Sequence, residues 1–269
     1  MKRALEYLAA ALSLSALGIG SAYAQPILSW DYVNEAGFSA FAPASEVTPS
    51  GNSGAILGLP IVLSWGPNNS SSLSAGSPVS GTIITGVNAF GPPAPGVPLE
   101  HDNFPIQLGV SLDSATLSSL VTLTPTGGGP TIQLPTIDFD ILFVETPNLG
   151  DSSGNCLGGG VSGDAENAAG CRDIFVLANP EAFDAAISFG LDGFQYDVAI
   201  TGQGLTPLTP EACAAVGEAP GCIGFLTPEN ETSIFESFFQ IRVTLVPEPH
   251  VLALLGLALA GMGFIRRRT

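Results

Sequence analysis

Positive charge is the scarcest commodity in this sequence. Its 269 residues hold seven Lys and Arg against 24 Asp and Glu. Lys2, Arg3 and Arg266 to Arg268 account for five of the seven, so Arg172 and Arg242 are the only bases between residues 25 and 246. Of the acids, only Glu6 and Glu248 lie outside that span, so two bases face 22 acids and the body stands near −20. Such a surface excludes nucleic acid as a partner, because phosphate binding needs a basic face. It suits an extracellular protein kept dispersed by self-repulsion, and it leaves carboxylates free for calcium. Histidine is nearly absent too: His101 is the only one in the body, and His250 lies in the tail. No G-x-S-x-G motif occurs, no long segment carries a helical stripe, and no internal repeat is evident.

The two ends carry what the body lacks. Lys2 and Arg3 precede an apolar run from about Ala9 to Gly20, followed by Ala22-Tyr23-Ala24 before Gln25. This is the pattern of a secretory signal over 1–24, with cleavage expected after Ala24. Near the other end, Pro247-Glu248-Pro249 precedes an uncharged run from Val251 to Ile265, then Arg266, Arg267 and Arg268. The run is short for a span, but arginines held on the cytoplasmic side would fix it as a stop. The three parts, in this order, resemble the PEP-CTERM sorting signal of exported proteins in Gram-negative bacteria, most often those that make extracellular polysaccharide. The resemblance implies an exosortase-type processing enzyme as partner. It also implies transient anchoring in the inner membrane by the C-terminal helix, then a cell-surface or extracellular location. The expected division is 1–24 signal, 25–246 exported body and 247–269 sorting segment.

Within the body the hydrophobic period is two. Phe239, Ile241, Val243 and Leu245 alternate with Gln240, Arg242 and Thr244; Phe194, Tyr196, Val198 and Ile200 alternate with polar or small residues. In "IDFDILFVE", Ile137, Phe139, Ile141 and Phe143 share one face while Asp138 and Asp140 share the other. Alternation of this kind marks strands with one buried and one wet face. "ILSWDYV" and "PIVLSWG" read similarly, and clusters such as "GPNNSSS" and "TPTGGGP" separate the runs as turns. "TPEACAAVG" predicts a short helix starting after Thr209 or Pro210. The expected fold is an all-β antiparallel sandwich, jelly-roll or another Greek key, in a single domain with disulfide-closed loops.

Four cysteines, Cys156, Cys171, Cys213 and Cys222, all fall in the exported body, where an oxidising compartment favours bridges. Three pairings are possible; the local one joins Cys156 to Cys171 and Cys213 to Cys222. A metal site is the rival, but no histidine accompanies the cysteines. For calcium, Asp151, Ser153 and Asn155 imitate the start of an EF-hand loop, but Cys156 and Ser162 stand where that loop needs Gly and Glu. A looser set, Asp151, Asp164 and Glu166 gathered by a Cys156–Cys171 bridge, is the candidate metal site. Asp138 and Asp140 form a carboxylate pair suited to a glycosidase or to calcium, set against a merely solvated strand face. His101, between Glu100 and Asp102, is either a catalytic base or a structural imidazole hydrogen-bonded across a loop, with Asn103 capping a turn.

"LSWG" at 63–66, the following "SSL", "LEHDNFPI" at 99–106 and "DFDILFVETPN" with its cysteine-bearing loop together resemble the THxN family of PEP-CTERM proteins. His101 and Asn103 match the family motif; Glu100 replaces its threonine. The resemblance implies an exported, sorted protein and supplies no catalytic residues. Three functions follow. The first is a structural or interaction protein of the surface or polysaccharide matrix, not an enzyme. The second is a carbohydrate-binding module using Trp30, Trp65 and Tyr196 as stacking residues. The third is a secreted hydrolase, disfavoured by the single body histidine and the missing nucleophile motif.

Overall fold

A computed structural model describes residues 24–106, 111–183 and 187–245. The signal segment up to residue 23, the Pro247-Glu248-Pro249 motif, the apolar run and the three terminal arginines lie outside the described residues. Within them, no helix is long and apolar enough to cross a membrane.

The described residues form 16 strands. In order, they are β1 (Ser29–Ala42), β2 (Thr48–Ser50), β3 (Val62–Trp65), β4 (Ser71–Ala75), β5 (Val79–Val87) and β6 (Ala94–Pro95). Next come β7 (Leu99–Asn103), β8 (Ser114–Pro125), β9 (Ile132–Gln133), β10 (Ile137–Val144) and β11 (Asp173–Leu177). The last are β12 (Ile187–Leu191), β13 (Phe194–Gln203), β14 (Thr206–Pro207), β15 (Ile223–Thr227) and β16 (Glu231–Leu245). A helix, α1 (Pro210–Ala215), precedes β15; Thr209 caps it by accepting the Ala212 N–H, and Pro210 sits in its first turn.

The strands make two layers joined by hydrogen bonds. One layer runs β14-β15-β11-β10-β8-β1-β5. The other holds β2-β3-β4-β7 and β12-β13, brought together by β16. The first part of β16 pairs with β7, Glu231 opposite Asn103 through Phe235 opposite Leu99. Its remainder pairs with β13, from Glu236 opposite Gln203 to Leu245 opposite Phe194. The fold is all-β as expected, with one departure from antiparallel order: Ile241–Val243 of β16 run parallel to Thr85–Val87 of β5. That pairing connects the layers at one end, so the sheet is mixed.

The alternation read from the sequence sets which faces meet. At one end Phe38, Leu63, Trp65, Leu73, Phe143 and Phe175 fill the space between layers. At the other Trp30, Ile83, Leu123, Tyr196, Ile241 and Val243 do so. Each such side chain contributes about 1.5–3 kcal/mol on burial. Strand β11 is buried along its whole length, because Ile174 and Val176, on its other face, are covered by Ala212 of α1. This explains why "DIFVL" shows no polar alternation.

Of the three pairings the cysteines allow, the local one is present. Cys156 is bonded to Cys171 and Cys213 to Cys222, 15 and 9 residues apart in sequence. The second bridge ties α1 to the start of β15, so it holds the cover on β11. Replacing Cys213 and Cys222 together by Ser should lower stability by up to about 3 kcal/mol, the chain-entropy value for so short a loop. Hydrogen exchange should quicken in α1 and β15 while β13 and the end of β16 keep their protection. Equal loss of protection in β13 would contradict this local role.

Candidate functional site

His101 sits in the middle of β7, whose Leu99, His101 and Asn103 point inward while Glu100 and Asp102 turn toward solvent. The flanking acids therefore cannot serve the imidazole; Asp102 instead accepts the Thr232 hydroxyl at 2.6 Å. The ring stacks on Trp65 (centroids 5.5 Å apart, planes 15° apart) and meets Phe143 and Phe175 at 5.5 and 4.8 Å. Neither ring nitrogen has a hydrogen-bond partner among the described residues. The expected hydrogen bond across a loop is thus replaced by an aromatic cage inside a strand. Asn103 likewise caps no turn: its amide donates to the Thr227 carbonyl at 3.1 Å. Burial pushes the His101 pKa down to about 3, so the ring is neutral in the folded protein.

The other sequence candidates resolve differently. Trp30 and Trp65 are 0% exposed and Tyr196 1%. They are core residues, in keeping with the core-like strand patterns they sit in, and present no face on which a glycan could stack. Asp138 and Asp140 lie on the exposed face of β10, tied to Ser118 and Thr116 hydroxyls on β8 at 2.6 and 2.8 Å. They form a solvated hydroxyl–carboxylate ladder. The loop acids are not gathered either. Asp151 accepts the N–H groups of Ser153 and Asn155. Asp164 accepts those of Val161, Glu166 and Asn167. Glu166 pairs with Arg172 at 2.8 Å. Residues that looked like calcium ligands are turn-formers, since the same oxygen spacing satisfies backbone donors in a Gly-rich loop.

The carboxylates that do converge are Glu145, Asp173 and Glu229. Oxygens from all three lie within 4.8 Å of one another, the only such grouping of His, Cys, Asp or Glu among the described residues. Glu145 follows β10, Asp173 opens β11 and Glu229 lies in the turn between β15 and β16. They are 5%, 0% and 2% exposed. Asp173 Oδ1 accepts the Thr146 N–H at 2.8 Å. Asp173 Oδ2 and both oxygens of Glu145 and Glu229 accept no well-formed hydrogen bond from the described residues, although the nearby Ile106 N–H favours the charge on Glu145 and the Asn103 amide that on Asp173. Elsewhere the chain treats a buried acid otherwise: Glu35 accepts the N–H groups of Ile56 and Leu57.

Burial, then the mutual repulsion of the carboxylates, raises Glu145 to about 10; burial, then Asp173, raises Glu229 to about 8. Burial lifts Asp173 to about 7, against the Thr146 N–H that favours its charge. A buried unpaired carboxylate costs several kcal/mol. This cluster is relieved only by taking up protons or by sharing a cation.

Period-two alternation could have flagged two members. Ile137, Phe139, Ile141 and Phe143 face inward, and the next residue in that series is Glu145. Asp173 continues the inward series of Phe175 and Leu177 in the same way. Glu229, in a turn, offers no such signal.

The His101 cage predicts a pH dependence. A neutral-only imidazole keeps its ordinary pKa of about 6.5 in the unfolded chain. As pH falls below that value the unfolded state takes up a proton that the folded state refuses until about 3. Stability contributed by the neutral ring is therefore full above about 6.5 and lost progressively through that window, by about 1.4 kcal/mol per pH unit. His101→Phe should fold at neutral pH within about 2 kcal/mol of wild type. It should gain on wild type by about 2–3 kcal/mol between pH ~6.5 and ~4.5. Urea unfolding of both proteins at the two pH values checks this; parallel losses would show that His101 protonates freely in the fold. The acid cluster is common to both proteins and cancels in the comparison.

Residues 245–268 match the family model of the PEP-CTERM protein-sorting motif. No curated protein matches the chain. The match covers the tail alone, so the likeness of the body to the THxN family rests on the residues quoted above. The arginine-poor body, the proline-bounded apolar run and the basic stop come together in one conclusion: the chain carries a PEP-CTERM protein-sorting motif at residues 245–268, which implies export and exosortase processing.

Proposed function

We propose that the protein is a non-enzymatic structural or interaction component of the cell surface or extracellular matrix, associated with extracellular polysaccharide. The observation that carries this reading is the sorting motif at 245–268. Three features of the body support it. Its charge near −20 keeps it dispersed outside the cell. Its one histidine is enclosed by Trp65, Phe143 and Phe175, and neither ring nitrogen has a hydrogen-bond partner among the described residues. Its largest aromatic side chains, Trp30 and Trp65, are spent on the core rather than offered to a ligand.

The test is a substitution of Pro247-Glu248-Pro249 by alanines in the producing cell. Wild type should lose its tail, show the correspondingly lower mass by intact-protein mass spectrometry, and partition with the polysaccharide fraction. The triple-alanine protein should keep its C-terminus and remain with the membrane. Identical masses and identical partitioning of the two proteins would remove the processing step from this reading. Recovery of the processed wild type only as free protein would remove the polysaccharide.

A further inference from the structure

We propose that Glu145, Asp173 and Glu229, with the Asn148 side-chain oxygen, form a calcium site that clamps the disulfide-closed loop 145–172 onto the end of the sandwich. Two independent observations point there. The first is the convergence of the three carboxylates described above, five of whose six oxygens accept no well-formed hydrogen bond from the described residues. The second is a pair of other buried polar side chains that adjoin Asp173 and keep an unpartnered oxygen. Thr227 is 0% exposed and stands directly opposite Asp173 in the β11–β15 ladder, so the two side chains share a face. Its hydroxyl oxygen has no partner among the described residues, nor has the side-chain oxygen of Asn103, also 0% exposed, whose amide reaches the Thr227 carbonyl.

The backbone keeps room for the ligands. Gly170 has φ +141°, and a β-carbon there would lie 3.0 Å from Glu229 Cγ and 3.2 Å from Asn148 Oδ1. Glu229 and the Asn148 oxygen therefore flank the same gap, which any larger residue would fill. Asn148 is itself fixed: its carbonyl accepts the Cys171 N–H and the Ser162 hydroxyl. Glu229 and Gly170 also line a surface depression with Arg172 and Glu231, so the cluster lies close beneath the surface.

The donor chemistry selects the metal. Every candidate ligand atom is oxygen, and the one body histidine is enclosed by aromatic rings rather than turned to the cluster. All-oxygen donors with several carboxylates suit a hard divalent cation and not zinc or copper. Five carboxylate oxygens and an amide oxygen, contributed from three separate segments, match the six to eight ligands of calcium. Magnesium prefers a tight octahedron with retained waters.

The test uses the full chain, purified in mild detergent, stripped with a chelator and titrated with calcium chloride by calorimetry and thermal melting. Saturable binding of about one ion per chain is expected, in the affinity range of extracellular calcium modules. Saturation should raise the melting temperature by about 5 °C or more. Glu145→Gln combined with Glu229→Gln should abolish both responses. Because the amides carry no charge to repel, this variant should melt no lower than calcium-free wild type, so a lost response cannot be put down to misfolding. Asp151→Asn combined with Asp164→Asn should keep both responses. The proposal falls if wild type shows neither binding nor a shift at about 10 mM calcium. It falls equally if the Glu145/Glu229 variant still responds, if the Asp151/Asp164 variant does not, or if magnesium acts as strongly as calcium.

Discussion

One strand belongs to both layers of this protein, and most of the architecture follows from that. β16 pairs with β7 along Glu231–Phe235, with β13 along Glu236–Leu245, and with β5 in parallel along Ile241–Val243. With β6 opposite Phe238 and Phe239 as well, this fifteen-residue strand has four partners, and its course between them fixes what lies at each end. At its far end Phe239, Ile241 and Val243 join Trp30, Tyr196 and Ile83 in one core. At its near end the turn from β15 places Glu229 against Glu145 and Asp173. Register slips here would move side chains to the wrong face of two sheets at once, so the register of β16 is strongly specified.

Charge is arranged with similar economy. Both body arginines are committed: Arg242 bonds Asp197 at 2.8 Å and lies over the Phe90 ring at 4.8 Å, while Arg172 holds Glu166. Neither arginine makes an ion pair with the acids that converge inside. A protein with spare lysines could relieve a buried carboxylate with an ion pair. This one has N–H donors, protons or a cation to draw on, and it uses donors for Glu35.

The sequence disclosed the strands wherever one face is wet. "IDFDILFV", "FQYDVAIT" and "FFQIRVTL" each became a strand with the alternation read from them. It disclosed less where tertiary packing overrides period two. β1 runs on to Ala42, well past "ILSWDYV", with a buried stretch that includes Asn34 and Glu35 because the 53–60 loop covers the face opposite the core side chains Ala36 and Phe38. The parallel β5–β16 contact left no local mark, since nothing in either segment encodes its partner's direction. The acid cluster was hidden for a related reason. Its members come from three places far apart in the chain, and the eye is drawn instead to Asp151, Asp164 and Glu166, whose close spacing signals turn formation. The local cysteine pairing was within reach because short Gly-rich loops bring their own ends together.

The ends of the sheet carry a consequence for life at a crowded surface. At one terminus β2 is three residues long with Pro49 at its centre; at another β14 is two residues long and ends in Pro207. Proline offers no N–H to an incoming strand, and so short an edge gives a neighbour little to pair with. Many copies displayed side by side would find no template at these two borders for growing a shared sheet. Packed densely, the molecules would therefore stay separate at these borders, meeting through their acidic faces and whatever ions or polymer lie between them.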